Sequence, residues 1–339
     1  MKAAPLPQVR VGLPYLTHEA DHPFLHAVRA LGAPVLISMG SLYREAEGGF
    51  RRLPLTAWTV GAALDSAGFV AMARFGGYRW TVADYVEQVV LNFPGDDEED
   101  GDDDPVRCAL PSPMEWWSAP DYCCEKQIAG NRAEVERRIV LTVEGYQDAR
   151  ELLEAWRREG ENQARDPMPI LQGRRPEDYV LCAEQLAAAV DAVDPCTCPT
   201  GDPEGCGATW HRTRTGLPEL VGVGSVCTRA VGGPEGLLPV LEALDEALPA
   251  HVRLHLFGVK GEALSKLGRL AGRVQSIDSM AWDKAASWEA DKLSRAAGER
   301  VSCTLDMRVK HLQRWHAAQA ERLRRLAASP RPVQRRLFG

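Results

Sequence analysis

The chain has 339 residues and a formal net charge of −7, a length that suits one large α/β domain with additions rather than a small module. It holds no apolar run of about 18 residues, which excludes a membrane-spanning helix, and Met1-Lys-Ala-Ala-Pro5 lacks the apolar core of a signal peptide, so the cytoplasm is the expected compartment. In a reducing compartment the nine cysteines read as thiols or metal ligands, not as a disulfide framework.

In chain order, residues 9–14 predict a first strand, and the spacing of Phe24, Leu25, Val28 and Leu31 predicts a helix over 21–31. The unbroken apolar run at 34–38 suits a strand buried on both faces. Residues 40–60 read as mixed loop, and 62–65 as the third strand. Thr81 opens a helix over 81–93, with Val82, Tyr85, Val86, Val89 and Val90 on one side. Residues 96–104 then hold eight acids in nine positions, and without them the balance moves from −7 to +1.

Residues 114–121 predict the fourth strand, 131–158 a long helix, 168–172 the fifth strand and 176–191 an Ala- and Leu-rich helix. A Cys-, Pro- and Gly-rich insert fills 194–217. The sixth strand follows at 220–226, a helix at 234–248 with Pro in its first turn, the seventh strand at 252–258, a helix at 262–270 and the eighth strand at 274–278. From about 284 onward the pattern is helical only, and the stretch from Arg308 to Arg336 is rich in arginine. The charge is therefore segregated, and a polyanionic partner fits the C-terminal end.

Eight short apolar strands alternating with helices call for a parallel sheet and, by their number, a closed (β/α)8 TIM barrel of the α/β class. An open doubly wound sheet is the alternative, but no Gly-x-Gly-x-x-Gly opens the first crossover. The expected division is a barrel over 1–283, with the insert at 194–217, and a basic C-terminal helical extension over 284–339. Barrels place their active sites at the C-terminal ends of the strands. There the polar residues are Asp65, Ser66, Asp121, Gln172, Gly224, Ser225, Lys260 and Asp278. The acidic run and the Cys-rich insert precede strands and belong on the opposite face.

Leu64-Asp-Ser-Ala-Gly-Phe69 resembles the Asp-Ser-Gly-Gly-Phe motif of tRNA-guanine transglycosylases, and Ile170-Leu-Gln-Gly173 resembles their Val-Gln-Gly strand end. Val221-Gly-Val-Gly-Ser225 is similar to their glycine strand end, and Ser276-Ile-Asp-Ser-Met-Ala-Trp282 occupies the place of their nucleophile strand. Ala119-Pro-Asp-Tyr-Cys-Cys-Glu125, Val223-Gly-Ser-Val-Cys227 and Phe257-Gly-Val-Lys260 look like the DpdA branch, phage and bacterial transglycosylases that insert 7-deazaguanines into DNA. The resemblance covers about residues 9–325. It implies Asp278 as nucleophile and Asp65 as the second carboxylate. It further implies that Asp121, Gln172 and the backbone around Gly224 read the purine edge, with Ser66 and Ser225 beside them and Phe69 stacking on the base.

Base exchange at a nucleoside follows the logic of a retaining glycosidase with a purine as leaving group. One carboxylate attacks C1′, and the other carries the proton, which requires a raised pKa. A strand-end Asp taken alone reads equally as a helix cap; the pair within the motif set favours chemistry. Asp121 can accept two guanine N–H groups while Gln172 serves O6, an edge that 7-deazaguanines share. The target base must leave the stack, and Arg229, Lys260 and Arg314 are the candidate phosphate contacts.

The chemistry requires no cofactor. Cys196, Cys198, Cys206 and His211 fall within sixteen residues, a set that suits a structural zinc site, against a reduced Cys-rich loop. The tRNA enzymes carry a zinc site after the nucleophile strand, where this chain has only Cys303, His311 and His316 as a weaker ligand set. Cys123, Cys124, Cys182 and Cys227 read as small buried residues.

The expected activity is exchange of guanine in DNA for a free 7-deazaguanine base such as 7-cyano-7-deazaguanine (preQ0). A helicase-like or other DNA-modification partner is compatible with this activity, the sequence leaves open whether a partner separates the strands, and no membrane partner is expected. The alternatives are the same chemistry on tRNA and a non-catalytic nucleic-acid-binding barrel.

Overall fold

The computed structural model describes residues 6–13, 23–51, 61–91, 114–158, 164–192 and 216–328. The acidic run, the Cys-rich insert and the last arginines lie outside them. The elements are β1 (Gln8–Leu13), α1 (Pro23–Ala30), β2 (Val35–Ser38), the pair β3 (Tyr43–Arg44) and β4 (Gly49–Phe50), β5 (Ala62–Asp65), α2 (Gly68–Phe75), α3 (Val82–Val90) and β6 (Met114–Trp117). Then come α4 (Arg132–Arg158), β7 (Ile170–Leu171), α5 (Pro176–Ala192), β8 (Leu220–Val223), α6 (Leu237–Ala247), β9 (Arg253–Leu256), β10 (Val274–Ser279), α7 (Ala281–Ala297) and α8 (Leu305–Ala328).

Eight strands form one parallel sheet in the order β6-β5-β2-β1-β10-β9-β8-β7. Its two edges meet where Ser118 pairs in parallel with Met168, and the Met168 N–H donates to Trp117 O at 2.8 Å. The ring therefore runs in chain order around a TIM-like (β/α)8 barrel, with a helical C-terminus.

Strand residues alternate faces. Leu36, Ala63, Trp116, Met168 and Ile170 pack inside the ring, with Phe257 and Leu220 against them. Beneath that layer Arg10 is buried in an ion pair with Glu115, its guanidinium 5.2 Å from the centre of the Trp116 ring. The opposite face of the strands sits under the helices. Val221, Leu254 and Ile277 pack with Leu186 of α5 and Leu241 of α6, while Val11, Val35 and Leu64 pack with Tyr85 and Val89 of α3. Helix α3 begins with the expected cap: Thr81 Oγ1 accepts the Asp84 N–H, and the Asp84 carboxylate accepts the Thr81 N–H. On α8 the buried residues Leu312, Gln319 and Leu326 recur every seven positions, a single stripe. Leu312 and Leu326 join the two outer clusters.

Four local expectations change. Residues 68–75 form α2, which begins from Ala67 in the left-handed region (φ 69°) without a side-chain cap, so no capping signal marks it. Residues 262–270 are not an α-helix but two 3-10 stretches, Gly261–Lys266 and Gly268–Gly272, separated at Leu267, with Gly268 at φ 52°. The loop at 40–60 contains the β3–β4 hairpin. The sixth strand ends at Val223, which frees Gly224 and Ser225 to turn over the mouth.

Candidate active site

The site is assembled where the strands stop. Asp65 is the last residue of β5 and stands in register with Ser38, the last residue of β2. The chain then turns through Ala67, whose N–H binds the Asp65 carboxylate. A Cβ on Gly68 would stand 2.3 Å from Asp121 Oδ1 and 2.5 Å from the Asp121 carbonyl oxygen. The turn presses directly on Asp121, which is why glycine occupies this position of the Asp-Ser-Ala-Gly sequence.

Asp121 follows β6 and is held on several sides. Ser66 Oγ donates to its Oδ1 at 2.7 Å, Gln172 Nε2 donates to its Oδ2, and Tyr78 Oη donates to its carbonyl at 2.9 Å. The Gln172 Oε1 accepts from Ser225 Oγ at 2.6 Å, and Ser225 Oγ accepts the Cys124 N–H at 2.5 Å. Ser225 has φ 53°, a strained geometry for a residue with a side chain. Tyr179 Oη donates to Gly224 O at 2.9 Å, and a Cβ on Gly224 would lie 2.2 Å from Gln172 Nε2. The network fixes the rotamer of Asp121 before any ligand arrives.

Asp278 points inward from β10, and its Oδ1 accepts the Gly258 N–H at 2.7 Å. His255 on β9 has its Nε2 3.4 Å from the same oxygen, just beyond a good hydrogen bond, and its Nδ1 2.8 Å from Ser276 Oγ. Burial pushes the imidazole below its ordinary pKa, so the ring is neutral. With its proton on Nε2, it presents an N–H to Asp278 and accepts from Ser276.

The carboxylates differ in electrostatics. Burial raises Asp65 well above the ordinary carboxylate range, and the charges of Asp121 and Asp278 raise it further, so its protonated form is favoured. Burial also raises Asp121, to about 6, against the stabilising hydrogen bonds from Ser66 and Gln172. Two acids at one mouth thus have different proton affinities, the usual mark of divided acid–base roles.

A cavity of about 550 Å³ opens at this end of the barrel, within the range of small-molecule sites. Asp65, Phe69, Asp121, Gly224, Ser225, Lys260 and Asp278 all line it. Ser66 and Gln172 sit behind Asp121, fully buried. Both arms of the Gln172 amide are occupied, one on Asp121 and the other on Ser225, so in this structure it orients Asp121.

Arg229 is committed elsewhere. Four of its hydrogen bonds go to the carbonyls of Ser225, Arg174, Glu235 and Gly173, and the guanidinium lies 5.4 Å from the Tyr179 ring centre. It clamps the loops after β7 and β8. Arg314 is exposed on α8.

Cys196, Cys198, Cys206 and His211 lie outside the described residues. Cys303, His311 and His316 are not gathered into a ligand set: His311 Nε2 lies 2.5 Å from Glu289 Oε2. Among the described residues no group of three His, Cys, Asp or Glu side chains could hold a metal ion. Cys123, Cys124 and Cys182 are buried as expected, and Cys227 is half-buried.

Several residues were not singled out from the sequence. His255 carried a usable signal: it shares the inward face of its strand with Phe257. Tyr78 comes from a loop with no pattern to read, and the buried Glu125, which accepts the Cys227 thiol at 3.1 Å, ends the Ala119–Glu125 motif without having been given a role of its own. Lys284 and Trp288 of α7 also line the cavity. Among the described residues no helix is long and apolar enough to cross a membrane.

No curated protein matches the chain. The family model DpdA, DeoxyPurine in DNA protein A, matches residues 15–201, which include Asp65, Asp121 and Gln172. That match spans more than half of the 339 residues, and the chain belongs to the DpdA family.

Proposed function

We propose that this transferase is a DNA-guanine transglycosylase that exchanges guanine in DNA for a 7-deazaguanine such as preQ0. The observation that carries the reading is the shared cavity: Asp278 stands with a proton-retaining Asp65 and a pre-oriented Asp121 at the C-terminal mouth of the barrel.

Asp278 attacks C1′ as guanine leaves, forming a sugar–enzyme ester, and the incoming base attacks the same carbon from the other side. Two inversions give retention. Asp65 enters the cycle protonated, gives its proton to the departing purine and recovers one from the entering base. The Gly258 N–H holds the attacking carboxylate in place, and the His255 ring stands against the same oxygen. Asp121 accepts N1–H and the exocyclic amine, groups common to guanine and preQ0. The 7-position points away from that edge. The guanine has to leave the base stack to enter the cavity, and Lys260 at the rim faces its phosphate.

The test is release of labelled guanine from DNA in the presence of preQ0, run in parallel on tRNA. Exchange on DNA, lost in Asp278→Asn with DNA binding retained, supports the reading. Exchange on tRNA alone points to the tRNA chemistry. Binding without exchange on either substrate leaves a non-catalytic barrel.

A further inference from the structure

Trp288 has 70 % of its surface exposed, the most of any large apolar side chain among the described residues. It does not sit on a remote surface, because it lines the active-site cavity together with Phe69, Lys260 and Lys284. The rest of α7 explains why this face is available. Trp282, Ala286 and Ala290 are buried, the Asp283 carboxylate accepts from Arg308, and Glu289 pairs with His311. The opposite stripe runs Lys284, Trp288, Lys292 at intervals of four residues, so all three point the same way. It begins beside Ala281 at the cavity wall and extends about 12 Å along the helix axis. Asp291 flanks it.

A flat indole between two ammonium groups, leading out of a base-sized cavity, has the chemistry of a single-stranded nucleic acid track. Aromatic faces take bases of any sequence, and lysines take the phosphates between them. Extruding a guanine also leaves its neighbour without a stacking partner. We propose that Trp288 stacks on the base adjacent to the extruded guanine, while Lys260, Lys284 and Lys292 hold the flanking phosphates of a single-stranded DNA segment. The inference rests on the cavity receiving a DNA guanine.

The probe is a single-stranded DNA oligonucleotide with 2-aminopurine next to the target guanine. Wild type should bind it and quench the 2-aminopurine emission. Trp288→Ala should bind about tenfold more weakly and lose the quenching. Trp288→Phe should restore most of both, and circular dichroism should be unchanged in either variant. Lys284→Ala with Lys292→Ala should lower the salt dependence of binding by about 1.4 in the log–log slope. Trp288→Ala binding and quenching like wild type overturns the proposal, as does a wild type that does not bind this DNA. An effect of Trp288→Ala confined to tRNA overturns the choice of DNA. Trp288-dependent binding and quenching without any base exchange would instead refute the transglycosylase reading and leave the track standing.

Discussion

The acid side of the pH profile should belong to Asp121. Its carboxyl titrates at about 6, because burial opposes its charge more strongly than Ser66 and Gln172 support it. Only the ionised form can accept two N–H groups from a purine. A group with a pKa of about 6 is roughly 90 % ionised at pH 7 and about 10 % at pH 5, so kcat/KM should fall about tenfold across that interval. Replacement Asp121→Asn removes the titration and turns an acceptor into a donor facing the purine. Two lost charge-assisted hydrogen bonds of about 1.5–3 kcal/mol each predict a loss of about 10²–10⁴ in kcat/KM. The assay is guanine exchange at subsaturating DNA from pH 5 to 8, with circular dichroism at each pH to show that the fold persists. The residual activity of Asp121→Asn should be flat between pH 5 and 7. An acid limb that survives near pH 6 in the variant, or a variant within threefold of wild type, would refute the assignment.

Asp65 should set the other limb. Its raised pKa keeps the proton present at low pH, and activity is lost as pH rises through that value. Asp65→Asn should lower kcat by about 10²–10⁴ and abolish this limb while leaving DNA binding intact, as read by single-turnover kinetics and a binding assay. His255→Phe removes the N–H that faces Asp278, and should reduce kcat more than it changes KM. His255→Gln should recover part of the loss; equal effects on kcat and KM would argue for a packing role only. Gly68→Ala forces a methyl group against the carbonyl of Asp121, which cannot rotate away. It should destabilise by about 1–3 kcal/mol and lower base affinity, seen as a reduced Tm and a raised KM.

The barrel was legible because its strands are short apolar runs separated by helical periodicity, and that pattern survives local error. Boundaries failed where local conformation depends on contacts rather than pattern. Helix α2 starts from a left-handed alanine beside Asp121, and no capping residue announces it. The 262–270 segment has helical spacing, but it divides at Leu267, and Gly268 takes a positive φ.

The strand-end rule located Asp65, Asp121 and Asp278, because their positions follow from strand count alone. It could not tell which polar groups face the cavity and which face one another. Gln172 is fully buried behind Asp121, and Arg229 spends its donors on carbonyls of neighbouring loops. Both arrangements depend on loop closure between distant segments. Trp288 is a case of the opposite kind: its exposure is invisible in a helix whose other tryptophan, Trp282, is buried.

As the proposed nucleophile, Asp278 should form a covalent bond to the DNA sugar. The direct measurement is mass spectrometry of peptides from the protein quenched during turnover on DNA with the incoming base withheld. A deoxyribose-linked adduct is expected on the peptide carrying Asp278, absent in Asp278→Asn. An adduct on Asp65, or guanine exchange that proceeds undiminished in Asp278→Asn, would contradict that role.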